Sequence, residues 1–165
     1  MNIPKNPICL WYDKDAEPAA RLHIEILTSA YLPIARDNAM TIPAAIAFCT
    51  LLLVLGALQL LLAAGAPIGH LAWGGEHRVL PARLRIGSVV TTGLYAVFAV
   101  VVLDRSGLVS VLPAQASQVG IWVITGVFLL GAIPNFISRS KPERYVMAPL
   151  SLLLSGLSMV ILLAW

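Results

Sequence analysis

Four apolar runs of about 20 residues each, separated by short polar turns, decide what this 165-residue chain can become. The first runs from about Ile42 to Gly65 and carries no charge. The second runs from about Arg85 to Leu103, the third from about Val119 to Ser138, and the fourth from about Tyr145 to Trp165. Hydrophobic residues make up 59% of the chain and charged residues 12%, against roughly 25% charged in an average soluble domain. So little charge cannot cover so much apolar side chain in water, and lipid must be the solvent for most of it. The runs predict an all-α fold, an integral membrane four-helix bundle over residues 40–165 behind a short non-membrane N-terminal segment, 1–39.

Punctuation supports these bounds. Pro43 falls in the first turn of its run, where a missing N–H costs nothing. Asp104-Arg105-Ser106-Gly107 closes the second run, and the mixed stretch Leu108–Gln118 reads as an interfacial loop or an extra half-turn of helix. Pro134 should kink the end of the third run, and Pro149 lies in the opening turn of the fourth. In the tail, Pro7–Tyr12 reads as a short strand, Asp15 as a helix cap, and Tyr31-Leu32-Pro33 as the end of the helix that follows. The N-terminus lacks the apolar core and small-residue cleavage site of a signal peptide.

Charge sets an expected orientation. Arg78, Arg83 and Arg85 lie in the first loop, and Arg139, Lys141 and Arg144 in the third. Arg105 stands alone in the second, beside Asp104. By the positive-inside rule, loops one and three face the cytoplasm and both termini lie outside. Lys5, Lys14, Arg21 and Arg36 in the tail oppose this arrangement; translation from Met40 would remove the conflict. The net charge of +3 fits basic loops against anionic lipid headgroups. With no Lys/Arg cluster interleaved with aromatics, nucleic acid is not an expected partner.

Two stretches resemble known groups. Pro4-Lys-Asn-Pro-Ile-Cys-Leu-Trp-Tyr-Asp-Lys-Asp-Ala-Glu-Pro-Ala-Ala-Arg-Leu-His-Ile-Glu-Ile-Leu27 resembles the opening strand and helix of the PhnB-like branch of the vicinal oxygen chelate superfamily. The later strands and metal-ligand positions of that fold are missing, so the resemblance implies ancestry of a fragment and no glyoxalase-type activity. A fused or mis-started reading frame would account for it. Residues 40–165, through Gly56–Gly75, Leu80–Ser88 and Asn135–Arg144, resemble small bacterial four-span membrane proteins of unknown function. That resemblance implies four spans in a bacterial cytoplasmic membrane and transfers no site residue.

The loop from Ala66 to Pro81 concentrates the remaining chemistry. His70 and His77 are seven apart with Gly74-Gly75 between them, and neither Cys nor a second carboxylate joins them. A metal site needs three or four ligands, so no metal and no cofactor is expected. Cys9 and Cys49 form no disulfide framework. Trp73 reads as an anchor at headgroup level, Gly74-Gly75 as a hinge, and Arg78 as an orientation signal or a headgroup contact. Glu76 beside His77 is the one acid–base pair outside the tail. Gln59, Thr125 and Asn135 lie at membrane depth; Asn135 beside Pro134 can satisfy a carbonyl freed by the kink or hold a ligand.

The ligand-binding candidates are therefore His70, Trp73, Glu76, His77, Arg78 and Asn135, with no catalytic residue assigned. A site in the first loop would have to recruit the neighbouring stretch Asn135–Arg144, which charge places on the same side. No charge lies mid-span, which argues against an ion-coupled pump. The expected function is non-enzymatic binding of a lipid, small ligand or partner at the cytoplasmic face. The alternatives are a small transporter subunit acting as a homo-oligomer, or a membrane enzyme using Glu76 and His77.

Overall fold

The computed structural model describes the backbone of residues 16–164; before residue 39 it describes only the side chains of Arg21 and Glu25. The strand expected over Pro7–Tyr12 and the cap at Asp15 lie outside the described residues. The chain divides into two compact units, Met1–Asp37 and Asn38–Trp165. All regular structure among the described residues is helical: α1 (Ala16–Ala64), α2 (Ala82–Arg105), α3 (Ala114–Ile137) and α4 (Ala148–Leu163), with a widened turn, Glu143–Met147, leading into α4. Four segments are long and apolar enough to cross a bilayer: Ala39–Ala64, Ala82–Arg105, Ala114–Ile137 and Glu143–Leu163.

Helix ends differ from the hydropathy reading for local reasons. α1 passes through Tyr31-Leu32-Pro33, where the sequence predicts an end. An interior proline costs about 3 kcal/mol, yet the helix is continuous through it. α1 then stops at Gly65, whose φ of 89° suits only glycine. Ala66 N–H donates to Leu61 O and Gly65 N–H to Leu62 O, a Schellman motif. The Arg85 guanidinium lies over this helix end, so close that a Cβ on Gly65 would fall 1.4 Å from Nη2. A cation there suits the negative end of the helix dipole. The same pair of bonds closes α2 at Gly107.

α3 begins at Ala114, five residues before its apolar run becomes obvious. Asp104 Oδ1 accepts from Val111 N–H (2.8 Å) and Leu112 N–H (2.9 Å), fixing the chain that enters the helix. Pro113 precedes the first turn, and Ser117 Oγ donates to Ala114 O. The polar residues of this turn hide it from a hydropathy reading.

The core of the second unit is apolar and aromatic. Phe128 on α3 meets Phe48 on α1 edge to face at 5.6 Å between centroids, and Phe98 on α2 at 5.9 Å. Such pairs add about 0.5–1.5 kcal/mol beyond their burial. α3 and α4 are joined by a chain of hydroxyls: Thr125 Oγ1 donates to Ser158 Oγ (2.9 Å), Ser158 Oγ to Ser155 O (2.9 Å), and Ser155 Oγ to Thr125 O (3.1 Å). Small side chains let the two backbones approach, and the Thr125–Ser158 and Ser155–Thr125 bonds cross between the helices, keeping these polar groups from lipid.

Candidate functional site

The first and third loops meet at one end of the bundle. Trp73, Gly74 and Gly75 all take positive φ, at 57°, 82° and 72°. Left-handed backbone at a tryptophan costs about 1–2 kcal/mol, so its surroundings must hold it. They do so on two sides. The Trp73 indole N–H donates to the buried Ser88 Oγ on α2 at 3.2 Å, and its ring lies over Gly87. On the other side, Gly74 N–H donates to Glu143 Oε1 at 2.8 Å. Gly75 has no room for a side chain, because a Cβ would lie 2.9 Å from Ser140 Cβ. Ser140 Oγ donates in turn to His70 O at 2.9 Å.

Glu143 is the pivot of this closure. Its second oxygen, Oε2, accepts from Ser138 Oγ. It is 6% exposed, the one buried charged side chain among the described residues. The widened turn explains how it comes to point inward. Ala148 N–H bonds back five residues to Glu143 O, and Pro149 follows with no N–H to give. A proline ring would clash with the carbonyl four residues before it, and an expanded turn relieves that clash. Arg144, on the outer side, donates from Nη2 to Ser138 O at 2.8 Å.

Below Trp73, residues of the four helices line a half-open chamber of about 160 Å³. Its mouth is formed by Leu71, Ala72 and Trp73, and Phe128 lines its inner end. Its polar wall comprises Gln59, Tyr95, Asn135, Glu143 and Ser151, one or more from each helix or its lead-in turn. The Gln59 amide lies against the Tyr95 hydroxyl, and Gln59 Oε1 is buried without a partner. An unmet buried acceptor costs about 1–3 kcal/mol. Asn135 Nδ2 donates to Ser151 Oγ at 3.2 Å, which fastens α3 to α4. One of the two amide N–H groups of Asn135 is thus spent on the neighbouring helix. Trp73, Asn135 and Glu143 also border an outer groove with Glu76 and Arg139, so these three side chains separate the chamber from the open surface.

The sequence candidates fall into three groups. Trp73 and Asn135 line the chamber. Glu76 and His70 border outer grooves beside Arg139 and Lys141, and His70 reaches the third loop through its carbonyl. His77 and Arg78 are exposed; the backbone carbonyl of Arg78 accepts from Gly69 N–H at 3.0 Å. Among the described residues no three His, Cys, Asp or Glu form a metal-binding group. Sequence reading missed Glu143, Tyr95 and Ser151. Glu143 sits in a turn of alternating charges and looks solvated; only the proline six residues later signals the turn that buries it.

Four membrane-crossing helices around a small polar chamber define this chain as a small polytopic membrane protein. Comparison with family models, with curated proteins and with solved structures finds no match to the chain.

Proposed function

We propose that this protein binds a small ligand without chemical turnover, in the chamber closed by the first and third loops, at the cytoplasmic face of a bacterial membrane. The observation that carries this reading is the chamber itself. A half-open chamber of about 160 Å³ with five polar side chains in its wall, one of them Gln59 with a buried amide oxygen left unpartnered, is expensive to keep in a lipid-facing bundle. An engineered cavity of about 150 Å³ is large enough to hold benzene, so a molecule with one ring is the natural occupant. Glu76 and His77 do not line the chamber, which favours binding over a reaction using that pair. The exposed Arg78 and Arg83, with Arg139 and Lys141 beside the outer groove, support contact with anionic headgroups around the mouth. Residues from all four helices of one chain line the chamber.

Thermal stability of the detergent-solubilised protein tests this against a panel of single-ring compounds of each charge. At least one compound raises the melting temperature in a saturable way. Trp73→Ala abolishes that rise, while Trp122→Ala, at a side chain 58% exposed on α3, and His77→Ala preserve it. A rise that survives Trp73→Ala, or no rise with any compound, contradicts the proposal.

A further inference from the structure

Glu143 is buried and accepts hydrogen bonds from two neutral donors, Gly74 N–H and Ser138 Oγ. Among the described residues it has no ion-pair partner. A carboxylate at the edge of a low-dielectric bundle calls for a positive charge nearby. None is supplied on the chamber side: among the described residues no Lys, Arg or His lines it. Three aromatic rings do, from Trp73, Tyr95 and Phe128. The faces of such rings attract cations, most strongly where water is excluded. Asn135 gives one amide N–H to Ser151, and its carbonyl oxygen is an acceptor available at the chamber wall. The wall thus offers one full negative charge, the ring faces and an amide oxygen, and repels anions.

From this, resting on the binding reading above, we infer that the chamber selects a small organic cation, a ring-sized primary or quaternary amine, with Glu143 as its counter-charge. An ammonium head lies toward Glu143 and Asn135 at the mouth, and its apolar body faces the inner end at Phe128. The basic residues outside, Arg139 and Lys141, border only the outer grooves.

Three molecules of the same ring and nearly the same size separate the possibilities: benzylammonium, benzyl alcohol and benzoate. Their binding to the purified wild-type protein, in non-ionic detergent at pH 7, is read by titration calorimetry. Benzylammonium binds about tenfold or more tighter than benzyl alcohol, the scale of one desolvated cation–π contact beside a carboxylate. Benzoate does not bind. Glu143→Gln keeps an acceptor for Gly74 and a donor for Ser138, so it brings benzylammonium to within about twofold of benzyl alcohol. Should that variant fail to fold, Trp73→Leu removes one ring without changing charge and narrows the wild-type preference severalfold. Equal binding of benzylammonium and benzyl alcohol to wild type overturns the cation assignment and leaves the binding reading standing. Failure of all three to bind overturns both.

Discussion

Glu143 and Glu76 have the same side chain and similar sequence surroundings, yet the structure gives them opposite standing. Glu76 is exposed, and its substitution by Ala should change stability by no more than about 0.5 kcal/mol. Glu143→Ala strands Gly74 N–H and Ser138 Oγ and releases the left-handed turn at Trp73. Hydrogen bonds to a charged group contribute about 1.5–3 kcal/mol each, so this variant should unfold at clearly lower temperature or denaturant concentration. Comparing the two melts checks the assignment, and equal effects would contradict it. The difference is invisible in sequence because burial of a loop carboxylate depends on which backbone N–H reaches it, here from a residue 69 positions away.

At the level of elements, hydropathy alone locates four helices but not their ends. α2 starts at Ala82, just after Pro81, and not at Arg85, because hydropathy discounts a first turn that carries charge. α3 starts early because Asp104 and Pro113 organise a polar turn that no apolar pattern marks. On the fourth run Ser155 and Ser158 face α3, whereas Gly156 has nothing within 4 Å of its Cβ position. Period and composition cannot choose among neighbours on one helix without knowing where the partner lies. The contact makes a quantitative expectation. Thr125→Val should destabilise the bundle by about 0.6 kcal/mol, with a ceiling near 1.7. In a double-mutant cycle with Ser158→Ala the two losses should be less than additive. Additive losses would show that the pair does not interact.

Across the whole second unit, loops one and three lie together at one end, tied through Gly74–Glu143 and His70–Ser140. The charge pattern in the sequence anticipates that pairing, because both loops are basic, but carries nothing about the chamber between them. The chamber arises from Gln59, Tyr95, Asn135 and Ser151; Asn135 stands out in the sequence beside Pro134, whereas the other three look like ordinary packing residues on their own helices. The proposed orientation can be read by labelling single cysteines in intact cells, with Cys9 and Cys49 replaced by Ser. An impermeant maleimide should modify Ser110→Cys from outside, and His77→Cys and Lys141→Cys only after lysis; the reverse pattern would invert the topology. The chamber's role is tested most directly by a crystal of the protein grown with 4-bromobenzylamine, located by the anomalous scattering of bromine. A bromine peak inside the chamber, near Phe128 and below Trp73, is the expected result. Bromine found only on the lipid-facing surface, with the chamber filled by water or by side chains, would contradict it.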